Sequence, residues 1–251
     1  MRSSTAVLLQ PEEPDISGIV TEDETPVDNL PSEKQQRLLT EPLYSSWSGP
    51  PPGEDGQARP FVAAANVGLF PALHEPPIVP DVFLSLDVQV REDFWAKKNR
   101  TYFFWEFGKA PEIVVEIVSN REGRELGEKR ARYARAGIPY YVVFDPAHHQ
   151  GEQPLHAFEL HGRFYVPTEP WFGLAGLGLV LWEGTFEGIH TTWLRWRTAD
   201  GAVVPTGAER ATDAEARATD AEARATDAEA RARRLAARLR AMGIDPDSDG
   251  S

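Results

Sequence analysis

The sequence predicts an α/β protein: a mixed sheet core flanked by helices, followed by a C-terminal heptad-repeat helix. Three observations predict it. Residues 112–146 read as strand, helix, strand: EIVVEIVS, then NREGRELGEKRARYARAG, then IPYYVVFDP. Beyond residue 146, short apolar runs separated by turn signals read as antiparallel strands. Residues 211–231 are three copies of ATDAEAR, a seven-residue period.

The elements follow in order. Residues 1–28 are acidic, contain proline and lack periodicity, so a disordered tail is expected. From Leu30, LPSEKQQRLL has helical composition, with Ser32 as N-cap and a stop before Pro42. This helix could bring Glu33 or Glu41 towards a site. Residues 47–60 (WSGPPPGEDGQARP) form a loop, and 61–70 are apolar enough for a strand or buried segment. A strand opens at Pro80 in VPDVFLSLDV. REDFWAKKNR is a polar connection, and TYFFWEF docks on the core or adds a strand. Trp95 and Trp105, near basic residues, could stack bases, but aromatic residues in such runs are expected in the core.

The two runs at 112–119 and 138–144 are too short for independent helices and rich in Val, Ile and Tyr, hence buried strands. Ser119 or Asn120 can cap the helix between them, and Gly137 with Pro139 stops it. Such a unit joins two parallel strands. His148 and His149 fall in a solvated turn after the last core strand. Residues 155–160 and 163–166, joined at His161-Gly162, predict an antiparallel hairpin. Residues 177–183 and 193–197 are expected to extend the same sheet, and Asp200-Gly201 marks a further turn. The domain organisation is then a tail at 1–28, a globular domain at 29–206, a coiled-coil helix at 207–243 and a loose acidic tail at 244–251.

Composition narrows the class. A chain of 251 residues with 41% hydrophobic content supports one medium domain with appendages. Cysteine is absent, which excludes disulfides and thiolate metal sites and fits a reducing, cytoplasmic setting. No signal peptide is expected at the start, and the longest glycine-laced apolar run, 173–181, is too short to cross a bilayer. Net charge is −13, awkward for a nucleic-acid partner, but residues 1–55 hold 11 acids against three basic residues and carry −8 of it. Residues 121–135 hold six basic residues against three acids, and Arg91, Lys97, Lys98 and Arg100 form a second cluster. Either cluster alone reads equally well as a solvated face.

One residue is out of place. Glu116 sits among Val114, Val115, Ile117 and Val118, where a carboxylate must be paired, hydrated or metal-bound. On the following helix Leu126, Lys129, Tyr133 and Ala136 share one stripe, which turns Lys129 inward and leaves Glu128, Arg132 and Arg135 to water. Asp81 supplies a second strand carboxylate. Two acids and an inward lysine make either a catalytic set or a buried pair that fixes helix on sheet.

Pro80-Asp81, YFFWEFG at 102–108, APEIVVEIVS, the GEK of 127–129 with Tyr133, and AGIPYYVVFDP resemble the Uma-two family. That group is placed in the restriction-endonuclease-like PD-(D/E)XK superfamily. The resemblance runs in order from about Leu30 to Thr206. It implies a nuclease core with Asp81, Glu116 and the carbonyl of Ile117 as ligands of Mg²⁺ or Mn²⁺, and Lys129 as the third catalytic residue. Val118 stands two residues after Glu116, where the superfamily has lysine, so Lys129 would act from the helix. Glu112, two side-chain alternations from Glu116, is a reserve ligand. The substrate implied is nucleic acid, DNA first, and the two basic clusters offer Arg121, Arg124, Arg130, Lys97 and Lys98 as its contacts. Two other classes stay open: a catalytically inactive nucleic-acid-binding module, or an interaction protein working through its heptads. In either case the heptads predict a parallel homodimer, with the globular core as a second possible interface.

Overall fold

The computed structural model describes residues 29–119 and 125–242. They form two compact units that divide at Val204 and Pro205.

The first unit is built on a six-stranded mixed sheet. In chain order it contains α1 (Leu30–Ser45), β1 (Phe61–Ala65), β2 (Leu69–Phe70), β3 (Val82–Leu86), β4 (Tyr102–Phe103), α2 (Phe104–Phe107) and β5 (Ile113–Ile117). A π-helical turn, Glu125–Lys129, runs into α3 (Arg130–Arg135), and β6 (Tyr140–Phe144), β7 (Leu155–His161) and β8 (Phe164–Pro167) follow. The strand order is β1-β3-β5-β6-β7-β8. Strands β5 and β6 are parallel, as the strand–helix–strand pattern requires, and every other neighbouring pair in this sheet is antiparallel. The β7–β8 hairpin turns at Gly162, whose φ of 66° suits glycine.

Alternation along the central strands divides the core between two faces. Ile113, Val115 and Ile117 join Leu39 and Leu43 of α1 on one face. Val114 and Val118 join Phe83, Tyr102, Tyr133 and Tyr141 on the other. The first face is closed by a second, three-stranded sheet of β9 (Trp171–Phe172), β10 (Leu177–Phe186) and β11 (Ile189–Arg197). These strands do not extend the main sheet as their sequence suggests. Phe172, Leu177, Leu179, Leu194 and Trp196 need an apolar surface opposite, and the strands reach it by stacking on the sheet rather than adding to its edge. They also run longer than expected, because Glu187 and Gly188, both at positive φ, make a two-residue hairpin turn between Phe186 and Ile189. Arg37 of α1 holds that turn through Glu187 at 2.6 Å.

Helix α1 also departs from expectation. Asn29 rather than Ser32 is the N-cap, accepting from the Ser32 amide at 2.9 Å, and the helix continues through Pro42 to Ser45. An interior proline costs about 3 kcal/mol. Burial of Leu38, Leu39, Pro42 and Leu43 offsets it.

Trp196 joins the layers: it is fully buried, and its indole N–H donates to the Leu39 carbonyl at 2.7 Å. Trp196→Ala is expected to cost about 3–5 kcal/mol in urea unfolding. Trp196→Phe keeps most of the volume and should cost about half as much, chiefly from the lost indole hydrogen bond. A loss below about 1 kcal/mol for the alanine variant would mean that the second sheet contributes little to the core.

The second unit contains α4 (Gly207–Ala241), started by a capping box in which Thr206 and Glu209 exchange hydrogen bonds. Arg217 donates to the Asp213 carbonyl at 3.1 Å, where sequence spacing suggests a side-chain ion pair. The side chains of α4 are largely exposed, Leu235 at 63%, as is its C-cap Met242 at 67%. The expected tails at 1–28 and 244–251 lie outside the described residues. No helix among the described residues is long and apolar enough to cross a membrane.

Candidate active site

Register brings the two acids together. Val82 of β3 pairs with Val115 of β5, so one step further places Asp81 opposite Glu116 on the same sheet face. The Ile117 amide donates to Asp81 Oδ2 at 2.6 Å, fixing that carboxylate at the end of the ladder. Glu116 is 1% exposed, and each of its oxygens has a donor: Tyr133 Oη at 2.5 Å to Oε1 and Lys129 Nζ at 2.9 Å to Oε2. Both donors come from the stripe that α3 and its π turn present to the sheet. Leu126 and Ala136 of the same stripe pack beside Tyr133.

Charge balance defines the site. Burial, and next the neighbouring Asp81 charge, push the Glu116 carboxyl up to about 8, with Lys129 and Tyr133 opposing only in part. Burial draws the Lys129 ammonium down, but Glu116, Asp81 and Glu125 outweigh it and hold its pKa above the ordinary value. Lys129 is therefore the fixed cation, and Glu116 is the group whose charge is short of compensation. The site holds more potential negative charge than one lysine neutralises.

That shortage, with the kind of donors present, fits a hard divalent cation. Two carboxylates and the Ile117 carbonyl offer oxygen only, and Mg²⁺ is commonly held by one or two protein carboxylates with several waters retained. Among the described residues no three His, Cys, Asp or Glu side chains gather as a larger cage. Glu125 approaches Lys129 at 3.8 Å and accepts from Gln150 at 2.6 Å.

The other sequence candidates fall elsewhere. Glu112 shares the face of Glu116 but lies four residues back, about 13 Å along the strand. Its oxygens accept from the Leu86 amide at 2.8 Å and from Lys109, so it closes the opposite end of the β3–β5 pair. Glu33 pairs with Arg37 at 2.6 Å on the outer side of α1, and Glu41 is exposed. Arg130 stacks over the Phe158 ring at 5.1 Å. Lys97 and Lys98 lie on a 3₁₀ turn, Lys97–Asn99. Arg121 and Arg124 lie outside the described residues, as does Asn120, one of the two candidate helix caps. Arg132 is half-buried rather than solvated, donating to the Pro77 carbonyl at 2.9 Å. Asp145 is buried and accepts from the His149 and Gln150 amides at 2.9 and 2.6 Å, which shapes the histidine turn.

One participant went unread in the sequence. Gln36 of α1, buried, donates to Asp81 Oδ1 at 3.2 Å and accepts from Asn66 Nδ2 at 3.0 Å. The helix thus orients the acid through an amide instead of adding a carboxylate. The available signal was its position: Ser32, Gln36, Leu39 and Leu43 follow one helical stripe, and a glutamine there is buried.

A mixed sheet with facing acids on adjacent strands and an inward lysine from the crossover helix defines a restriction-endonuclease-like α/β fold. The sequence matches the Uma2 family, described as "Putative restriction endonuclease", over residues 13–181. The chain belongs to that family. No curated protein matches it.

Proposed function

We propose that the protein is a metal-dependent endonuclease that hydrolyses phosphodiester bonds of nucleic acid, DNA first. The juxtaposition of Asp81 and Glu116 beside Lys129 carries this reading. Asp81, Glu116 and the Ile117 carbonyl would hold Mg²⁺ or Mn²⁺. The ion supplies charge neutralisation at phosphorus and a more acidic water. Lys129 remains charged, donates to Glu116, and is placed to stabilise charge developing on a bound phosphate. Tyr133 and Gln36 hold the two carboxylates in place. The family description supports nuclease chemistry at this coarse level. The test is cleavage of DNA and RNA with and without Mg²⁺, with Glu116→Gln as the inert control.

The protein is a homodimer through α4, with Met242 at its C-cap. With the seam at Ala211, Ala218, Ala225, Ala232 and Leu239 together with Ala214, Ala221, Ala228, Leu235 and Met242, the flanks are glutamate on one side and arginine on the other. Parallel pairing sets Arg217 against Glu222 of the partner subunit, whereas antiparallel pairing sets like against like. Each exposed ion pair adds at most about 1 kcal/mol, so Leu235, Leu239 and Met242 must supply most of the association. A chain ending near Thr206 is expected to sediment as a monomer or weaker dimer, and a cysteine placed at Ala214 should cross-link to its symmetry mate. An undiminished dimer without α4 would move the interface to the globular core.

A further inference from the structure

The turn after β3 breaks an expectation about aromatic residues. Phe94 and Trp95 are not in the core: they are 50% and 75% exposed, and Val90 beside them is also exposed. The two rings meet edge to face at 5.6 Å. The turn that presents them is internally fixed. Arg100 Nε donates to the Trp95 carbonyl at 2.8 Å, Asn99 Nδ2 to the Asp93 carbonyl at 2.6 Å, and the Asn99 amide to the Ala96 carbonyl at 2.8 Å. A turn held this way presents its aromatic pair with little conformational entropy left to lose on binding.

Charge and place indicate the occupant. Residues 91–100 carry four basic side chains, Arg91, Lys97, Lys98 and Arg100, against Glu92 and Asp93, a local +2 in a chain of −13. Asp81 and Phe83 alternate onto one face of β3. Phe83 and Phe94 line the same hollow of ≈ 270 Å³ beside Tyr102. The aromatic turn therefore borders the sheet face that carries Asp81 and Glu116.

We propose that this turn is a stacking platform for an unpaired stretch of nucleic acid, with Trp95 and Phe94 against base faces and the surrounding cations towards phosphates. The proposal rests on the nuclease reading and gives it a substrate class: strands with exposed bases, such as single strands, flaps or bubbles. A continuous duplex keeps its base faces stacked inside and offers the platform only phosphates, whereas every unpaired base has a free π-face.

The test measures anisotropy of a labelled oligothymidylate and of a blunt duplex, using full-length protein carrying Glu116→Gln with Mg²⁺ present. Trp95→Ala should weaken oligothymidylate binding about tenfold, and adding Phe94→Ala should weaken it further. Trp95→Phe should keep most of the affinity, and duplex binding should change by no more than about twofold, since the phosphate contacts remain. Thermal melting checks that the exposed substitutions leave the fold intact. Unchanged oligothymidylate affinity in the double variant, or an equal loss for both ligands, overturns the platform. Loss of self-association in sedimentation, without any change in oligonucleotide affinity, would also overturn it, making the patch an interface between copies of this chain. Failure of the two ideas is distinguishable. Trp95-dependent binding, with a wild type that cleaves nothing, refutes the nuclease alone, and cleavage by the wild type with binding indifferent to Trp95 refutes the platform alone.

Discussion

Lys129→Ala is expected to lower cleavage by at least about a hundredfold, the scale seen when a single preorganised donor to developing charge is removed. The lysine is the cation bonded to Glu116, at 2.9 Å, and its side chain is about one-third exposed. The fold should survive, because Glu116 keeps its bond from Tyr133 and can take up a proton once the lysine is gone. Metal binding should persist, since the proposed ligands, Asp81, Glu116 and the Ile117 carbonyl, are untouched. Cleavage at the wild-type rate would reduce Lys129 to an anchor between α3 and the sheet.

The second large effect is on stability. In the metal-free protein the folded-state pKa of Glu116, about 8, lies above its ordinary value of 4.5, so the folded state binds the proton more tightly than the unfolded chain. The stability this group contributes is complete below pH about 4.5 and is lost as pH rises through 8. Glu116→Gln, which cannot ionise, should therefore gain on the wild type across that window, reaching a few kcal/mol at its alkaline end. A divalent cation should offset much of that deficit. At a hundred times its Kd it stabilises the wild type by about 3 kcal/mol. That gain should be absent in Asp81→Asn and Glu116→Gln. Equal shifts with Mg²⁺ in all three proteins would move the metal away from these acids.

How far the sequence could be read follows from what each residue signals on its own. Strands β5 and β6 were legible because short runs dominated by Val, Ile and Tyr suit buried strands at that length. Asp81, Glu116 and Lys129 stood out because charges in apolar runs, or on an inward stripe, break the pattern. Gln36 did not stand out, since a neutral amide on a helix looks ordinary until its stripe is known to be buried. Periodicity also gave the face of Glu112 but not its distance along the strand, and that distance separates it from Glu116. The second sheet was misplaced because alternation along β10 and β11 fixes which side chains face inward, not which sheet they face. Trp95 was misread for a related reason: hydrophobicity predicts burial, while its turn is held by hydrogen bonds from Asn99 and Arg100 to backbone carbonyls that leave the indole outside.

The most direct test of the nuclease assignment is a cleavage assay on single-stranded, flapped and duplex nucleic acids over a range of Mg²⁺ and Mn²⁺, with wild type and Glu116→Gln purified side by side. The expected result is cleavage by the wild type that requires the divalent ion, disappears with chelator and is absent from Glu116→Gln. Cleavage that persists in chelator, or that is equal in both proteins, would contradict a metal-dependent site at Asp81 and Glu116.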